Sequence, residues 1–191
     1  MILVTDLETT GLDHDRCEVI SIGAQAINHT EQGWQLTYDT FYETGNISSL
    51  ARIEETALNI NGFSHGELTS QGQSNEDMYK HFYQWAKDLN CFELAGINIG
   101  AFDVPFLKVL HDRTFNRGQV KTKWPFGYRF LEIGSAFFVA TNQFSIKPVG
   151  MKEMLRTAEV ENFKLHDALQ DAIAEAKLLV KILNGDLDGR I

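Results

Sequence analysis

Apolar and polar residues follow one another along the chain in stretches that predict five strands. The first four residues are apolar and partly β-branched, which favours a buried central strand. Four later stretches have the length of strands and are rich in aliphatic or alternating residues. The predicted strands cover residues 1–4, 18–27, 34–42, 94–99 and 130–133, with a polar hairpin loop over residues 28–33.

Helical periodicity separates and follows these strands. Residues 75–89 have the clearest amphipathic pattern, and residues 114–128 contain the glycines and the proline of a loop. The predicted helices cover residues 49–60, 75–89, 102–110, 135–141, 150–157 and 167–183. In the last of these helices, the predicted buried stripe consists of Leu169, Ala172, Ile173, Ala176, Leu179, Val180 and Leu183.

The order of the elements predicts an α/β layered domain. The strands come first as a meander and then alternate with helices, which implies a mixed sheet covered by helices. A chain of 191 residues suits one domain. We therefore expect a single domain over residues 1–183 and a short polar C-terminal tail over residues 184–191.

Composition favours a cytoplasmic globular protein. The hydrophobic content of 43% and the 13 phenylalanines are ample for one core. No apolar stretch approaches the roughly 20 residues that a membrane span needs, and an apolar strand at residue 1 leads us to expect no signal peptide. Cys17 and Cys91 match no metal-binding or redox spacing.

The net charge of −9 is unevenly distributed. Residues 1–93 carry 4 basic and 15 acidic residues, a balance of −11, and residues 94–191 carry 13 and 11, a balance of +2. An ordinary solvated surface and an electrostatic contact for a polyanion both remain open for the basic segment 108–129. Its charged residues are Lys108, Asp112, Arg113, Arg117, Lys121, Lys123 and Arg129.

Asp6 and Glu8 are the first candidate chemical pair. They follow the first predicted strand, and residues two apart on a strand point to the same side. Such carboxylates repel each other unless a cation lies between them, and hard divalent ions such as Mg²⁺ prefer oxygen ligands. A strand end that turns into solvent is the more common explanation of paired acids, so the pair alone does not establish a metal site.

Asp103, His166 and Asp171 stand at the starts of predicted helices. The simplest interpretation of Asp103 is an N-cap, although a capping carboxylate can still face a metal site with one oxygen. Asp167 with Gln170 resembles a capping box, which places Asp171 in the first turns of the last helix. An acid there commonly interacts only with the helix dipole, and a histidine before a helix is commonly a polar loop residue.

Taken together, the three runs resemble the DEDDh or DnaQ-like 3′–5′ exonucleases of the ribonuclease H-like superfamily. The runs are Asp6-x-Glu8-Thr-Thr-Gly, Asn98-x-x-x-Phe102-Asp103 and His166-x-Ala-x-x-Asp171-Ala. The resemblance extends from residue 4 to about residue 180 and implies an α/β fold of the ribonuclease H-like type, a mixed central sheet flanked by helices. Asn61 stands before Gly62 where many members have histidine, so the contact of that histidine is not carried over.

The resemblance implies a two-metal phosphodiester hydrolase. Asp6, Glu8, Asp103 and Asp171 are the expected ligands of two Mg²⁺ or Mn²⁺ ions, and His166 is the expected general base. Histidine suits that task because it exchanges protons near neutral pH. The implied reaction releases nucleoside 5′-monophosphates from a 3′ end.

Substrate contacts and partners follow from the same resemblance. The expected partner is the 3′ end of single-stranded DNA or RNA, with a polymerase and a homodimer as further expectations. Phe63 and Phe102 are equally well explained as core aromatic residues. A catalytically silent nucleic-acid-binding or polymerase-associated scaffold module on the same fold is the alternative function. The expected substrate-binding residues are Thr9, Thr10, Gly11, Leu12, Phe63, Asn98 and Phe102.

Overall fold

A computed structural model describes residues 1–117, 121–141, 149–161 and 166–187 of the chain. In these ranges the strands are β1 (Ile2–Thr9), β2 (Val19–Thr30), β3 (Gly33–Thr44), β4 (Leu94–Gly96) and β5 (Leu131–Glu132). The helices are α1 (Glu55–Asn61), α2 (Asn75–Asp88), α3 (Asp103–Phe115), α4 (Ile133–Thr141), α5 (Met151–Thr157) and α6 (Ala168–Asn184), and a 3₁₀ turn covers Glu67–Thr69.

The strands form one mixed sheet in the order β3-β2-β1-β4-β5. β1, β2 and β3 pair antiparallel, whereas β1, β4 and β5 pair parallel. β1 is therefore the junction of the two halves, and its carboxyl end lies beside that of β4. The predicted mixed sheet flanked by helices, an α/β fold, is confirmed.

Hydrophobic residues cover both faces of the sheet, because side chains alternate along each strand. Leu3 and Leu7 lie in a buried cluster with residues of α2 and α3. Val4 and Ala95 lie in a second cluster with residues of α4, α5 and α6. The sheet is thus a central layer between two helical layers, as expected for a central strand that begins with an apolar run.

Gly23 allows α6 to approach the sheet closely. A Cβ atom at this position would lie 2.1 Å from the carbonyl carbon of Ala168 and 2.3 Å from the amide nitrogen of Leu169. Gly23 is paired with Asp6 across the sheet. A glycine on β2 therefore sets the first turn of α6 against the strand that carries the acidic pair.

Several predicted boundaries were wrong. α1 begins at residue 55 instead of residue 49, because the preceding segment hydrogen-bonds to the β1–β2 loop. The amides of Arg52 and Glu54 donate to the carbonyls of Arg16 and Thr10, both at 2.8 Å. β1 continues through Thr9, so that both acids lie within the strand.

The other differences are changes of length. The predicted hairpin loop is shorter, because β2 continues to residue 30 and β3 starts at residue 33. β4 ends at residue 96 instead of residue 99, α3 extends to residue 115, and the 3₁₀ turn was not predicted. Part of the predicted loop over residues 114–128 lies outside the described residues.

None of the helices in the described ranges combines the length and the apolar character that a membrane span requires.

Candidate active site

Asp6 and Glu8 project from one face of β1 near its carboxyl end. Their partners across the sheet are Gly23 and Ser21 on β2. Glu8 is only 8% exposed and Asp6 is half-buried, so Glu8 does not turn into solvent at a strand end. The alternative that the sequence left open, a strand end that turns into solvent, is therefore wrong for Glu8, which is buried.

Asp103 enters the site from the loop between β4 and α3. Asp103 is the first residue of α3 and not the predicted N-cap. The N-cap is Phe102, which forms no side-chain capping hydrogen bond. The loop turns at Asn98, whose φ of 59° is left-handed and whose carbonyl accepts the amides of Ala101 and Phe102. Within the described residues, the buried Oδ1 of Asp103 has no hydrogen-bond partner. A buried carboxylate oxygen without a donor is suited to a cation.

Asp171 and His166 enter the site from the start of α6. Asp167 caps the helix by accepting a hydrogen bond from the amide of Gln170 at 3.2 Å, as the capping pattern predicted. The amide of His166 donates to Oδ2 of Asp171 at 2.8 Å, and His166 has a left-handed φ of 63°. Asp171 is buried, whereas His166 is exposed.

Side chains from the two ends of the sequence meet in one ligand set. Glu8, His166 and Asp171 each offer one ligand atom, and these atoms lie within 4.8 Å of one another. Two carboxylates and an imidazole in this arrangement can hold a divalent ion. Strand β1 and helix α6 supply them because Gly23 lets the two elements approach.

The electrostatics of the site favour a bound cation. Burial, followed by the charges of Asp171 and Asp167, raises the pKa of Glu8 to about 7. Burial, followed by the charges of Glu132 and Glu8, raises the pKa of Asp103 to about 8. The pKa of Asp6 is raised well above its ordinary value, first by burial. Within the described ranges, none of Asp6, Glu8 and Asp103 forms an ion pair with a basic side chain, so the negative charge is not balanced by the protein.

Glu175 is a further acid at this site, and the sequence interpretation missed it. It lies one helical turn after Asp171 and is 2% exposed. Its Oε2 accepts a hydrogen bond from the amide of Ile97 at 3.1 Å. Burial, and next the charge of Asp103, raise its pKa well above the ordinary value. The i, i+4 spacing from Asp171 is the signal that could have identified it.

Glu8 opens onto a cleft of about 240 Å³. Its wall contains Glu8, and the remaining residues come from β2, β3, the segment after α1 and the start of α6. The hydroxyl of Ser21 lies at this wall, is buried, and has no hydrogen-bond partner among the described residues. The residues lining the cleft include Ser21, Tyr42, Asn61, Phe63, Glu67, His166 and Asp167.

Asn61 stands where many members of the family that the sequence resembles have histidine. Its Nδ2 donates to the carbonyl of Thr9 at 3.1 Å, and its side chain hydrogen-bonds to Glu8, which lowers the pKa of that carboxyl. The side chain therefore braces the carboxyl end of β1 next to the acids.

Thr9, Thr10 and Gly11 form the turn after β1. The hydroxyl of Thr9 donates to the carbonyl of Gly11 at 2.7 Å, and that of Thr10 donates to the carbonyl of Arg52 at 2.6 Å. Thr10 also accepts the amide of Glu18 at 2.9 Å. These buried side chains hold the turn in shape, so any contact they make with a substrate has to come from the backbone.

The other predicted substrate residues differ in exposure. Leu12 is 77% exposed, and Asn98 is exposed at the end of β4. Phe63 is half-buried and lines the cleft. Phe102 packs on the core beside Phe106, with ring centres 5.1 Å apart. The core interpretation thus describes Phe102 better than Phe63.

A family comparison identifies the chain. The family model described as Exonuclease (RNase_T) matches residues 3–179. The chain belongs to the exonuclease family. The DnaQ-like exonuclease assignment within the ribonuclease H-like superfamily, made from the three sequence runs, is thereby confirmed. No curated protein matches the sequence significantly.

Solved structures of exonucleases share the fold. The nuclease domain of 3′hExo, a DEDDh family member bound to rAMP, is 16% identical with a TM-score of 0.74, over 99% of this chain and 92% of that chain. E. coli Exonuclease I in complex with a dT13 oligonucleotide is 16% identical with a TM-score of 0.72, over 97% of this chain. Cell-death related nuclease 4 has a TM-score of 0.71 at 16% identity over 96% of this chain.

This exonuclease chain is shorter than two of these structures. It spans 42% of the Exonuclease I chain and 63% of the cell-death related nuclease 4 chain. Exonuclease family membership implies divalent metal ions. The donor set of this chain fits them, because carboxylates predominate and the buried Oδ1 of Asp103 lacks a protein donor in the described ranges.

Proposed function

We propose that the chain is a metal-dependent 3′–5′ exonuclease that releases nucleoside 5′-monophosphates from single-stranded nucleic acid. The observation that carries the proposal is the cluster of buried Glu8, Asp103 and Asp171 with half-buried Asp6, and with His166 beside it. The pKa values of Asp6, Glu8 and Asp103 are raised by burial and by neighbouring acids, among them Asp171 for Asp6 and Glu8, so such a cluster is costly without cations. Their arrangement on an exonuclease fold supports a catalytic site more directly than a silent binding module.

Asp6, Glu8, Asp103 and Asp171 are the proposed ligands of two Mg²⁺ or Mn²⁺ ions. When bound, such ions supply Lewis-acid activation of water and neutralise charge on the phosphodiester. The protein contributes the positions of the four carboxylates, which come from β1, α3 and α6. Glu175 holds α6 to the end of β4 through the amide of Ile97 and thereby orients Asp171 relative to Asp103.

His166 is the proposed general base. Its side chain is exposed at the mouth of the site, and one ring nitrogen lies within 4.8 Å of ligand oxygens of Glu8 and Asp171. An imidazole nitrogen there can accept a proton from the attacking water. The backbone hydrogen bond to Asp171 fixes the residue at the start of α6.

The terminal nucleotide is proposed to lie in the cleft beside Glu8. Phe63 provides half-buried apolar surface in this cleft. Further proposed contacts are the exposed side chain of Leu12 and the backbone of Thr9, Thr10 and Gly11, in the turn after β1. Asn98 and Phe102 are the proposed contacts on the Asp103 side. Nucleic acid as the substrate is supported by the oligonucleotide bound to Exonuclease I and the rAMP bound to 3′hExo.

Product identity tests the proposal. Single-stranded DNA and RNA of the same sequence are incubated with Mg²⁺ or Mn²⁺, once with a free 3′ hydroxyl and once as a closed circle. The proposal requires nucleoside 5′-monophosphates, identified by mass, from the linear strands only. Cleavage of the circle, or nucleoside 3′-monophosphates as the main product, would refute it.

A further inference from the structure

Basic and aromatic side chains lie close together on α3 and on the segment that leads into strand β5, at one edge of the sheet. Nζ of Lys108 on α3 is 5.8 Å from the ring centre of Trp124 and 6.0 Å from that of Phe130. The guanidinium of Arg129 is 5.4 Å from the ring centre of Tyr128. Contacts of this length are favourable between a cation and an aromatic face. We call these five residues the edge surface.

The two cations of the edge surface form no ion pairs with acids of the described residues. In the ranges that the structure describes, Lys108 and Arg129 form no ion pair within 4.0 Å, whereas Arg113 and Arg117 pair with Glu18 and Glu76. Glu93 lies on the wall of a cavity of about 420 Å³ that also includes Arg129, without pairing with it. On a chain with a net charge of −9, this leaves a local positive surface that is suited to a polyanion.

Tyr128 is an exposed ring next to a packed aromatic segment. It is 80% exposed. The neighbouring Trp124 is half-buried, donates from Nε1 to the carbonyl of Gly127 at 2.8 Å, and packs on Phe126 with ring centres 5.1 Å apart. The exposed Tyr128 ring, with the guanidinium of Arg129 beside it, can stack on a nucleobase of any sequence.

The edge surface is continuous with the loop that carries Asp103. Glu132, two residues after Phe130, accepts the amide of Asn98 at 2.9 Å. The ring of Phe130 lies 3.8 Å from the position that a Cβ on Gly100 would occupy. A strand whose 3′ end lies at the carboxylates can therefore continue across this loop to β5.

We propose that the edge surface binds single-stranded nucleic acid upstream of the 3′ end, with one base stacked on Tyr128 and backbone phosphates at Lys108 and Arg129. This inference rests on the proposed function and adds where the rest of the substrate lies. It predicts that long strands bind more tightly than short ones, because a dinucleotide reaches the carboxylates without reaching Tyr128.

The test compares variants on long and short probes. Binding of a fluorescent oligodeoxythymidylate and of a thymidine dinucleotide is measured by anisotropy in EDTA, which prevents turnover. Tyr128→Ala, Lys108→Ala and Arg129→Ala are compared with Tyr38→Ala, since Tyr38 is a fully exposed tyrosine on β3, and with Lys87→Ala, an exposed lysine on α2. Hydrolysis of the p-nitrophenyl ester of thymidine 5′-monophosphate with Mn²⁺ reports on the active site alone.

The inference requires about tenfold weaker binding of the long probe by Tyr128→Ala, and no change with Tyr38→Ala. Lys108→Ala and Arg129→Ala should each reduce the slope of log K against log salt by about 0.7, and Lys87→Ala should not. Ester hydrolysis should stay at the wild-type rate in all five variants. Unchanged binding and salt slopes would overturn the inference even if the ester is hydrolysed, whereas absent hydrolysis by the wild type would count against the proposed function.

Discussion

The backbone amide of His166 donates a hydrogen bond to Oδ2 of Asp171, at 2.8 Å. A proposed metal ligand thus also holds the proposed general base, through the main chain. The left-handed backbone of His166 makes this bond possible, and such a conformation is uncommon for residues other than glycine. The carboxyl group of Asp171 consequently has two tasks, which substitutions can separate.

Asp171→Asn retains an oxygen for the His166 amide but removes the negative charge. We expect activity to fall at least about a hundredfold, because charge stabilisation by a bound ion contributes several kcal/mol. The thermal unfolding temperature should not fall. Asp171→Ala should lose activity and stability together, and wild-type turnover by Asp171→Asn would show that this carboxylate is not a ligand.

His166→Ala should lower the turnover rate by about 10²–10⁴-fold, the usual contribution of a general base. Affinity for an oligonucleotide in EDTA should stay close to that of the wild type, because His166 is proposed to act on the water and not to hold the substrate. His81→Ala is the matched control, since His81 is an exposed histidine on α2. An equal effect of the two substitutions on turnover would exclude the assigned role.

The raised pKa values of Glu8, about 7, and Asp103, about 8, predict how stability depends on pH. An acid whose folded-state pKa is raised binds more protons in the folded state. Metal-free protein should therefore lose stability as the pH rises from about 5 to about 8, through the interval between the unfolded and folded pKa values. Calorimetric unfolding in EDTA measures this.

Mn²⁺ should raise the unfolding temperature more at the upper end of this pH interval than at the lower end, because bound cations require deprotonated ligands. Asp103→Asn and Glu175→Gln should each reduce the pH dependence in EDTA, since each removes a buried titrating acid. Stability that increases with pH in EDTA would contradict the described electrostatics.

Gly23→Ala should disturb the site from β2, the strand that pairs with β1. The new methyl group would lie 2.1 Å from backbone of Ala168, so α6 has to shift. We expect a loss of about 1–3 kcal/mol in the free energy of unfolding and a lower turnover rate. Gly66→Ala is the control, because no atom lies within 4 Å of a Cβ there. A neutral Gly23→Ala would mean that the close approach of α6 is not needed.

The sequence predicted the parts of the site that depend on short-range rules. Alternation along β1 placed Asp6 and Glu8 on one side, and the capping pattern of Asp167 placed Asp171 near the start of α6. The three runs also identified the family. These features are local, so tertiary contacts did not change them.

The sequence could not predict the features that long-range packing decides. The predicted apolar stripe of α6 was rotated from the buried face that the structure has, which includes Asp171 and Glu175. The sequence does not indicate that an acidic residue is buried, so Glu175 was not recognised as a residue of the site. The predicted start of α1 was wrong because the segment before residue 55 forms backbone hydrogen bonds with the β1–β2 loop. A local sequence pattern does not show such a pairing. A polymerase partner, a homodimer, a cytoplasmic location and the limits of the single domain stay predictions.

The most direct measurement is digestion of a 5′-labelled single strand by the wild type and by Asp103→Asn, each with Mn²⁺ and with EDTA. Asp103 is the crucial position, because its buried Oδ1 lacks a protein donor in the described ranges and its charge adds to that of Asp6. We predict a ladder of strands shortened from the 3′ end only for the wild type with Mn²⁺. No shortening by the wild type, or equal shortening by folded Asp103→Asn, would contradict a metal-dependent exonuclease site at these carboxylates.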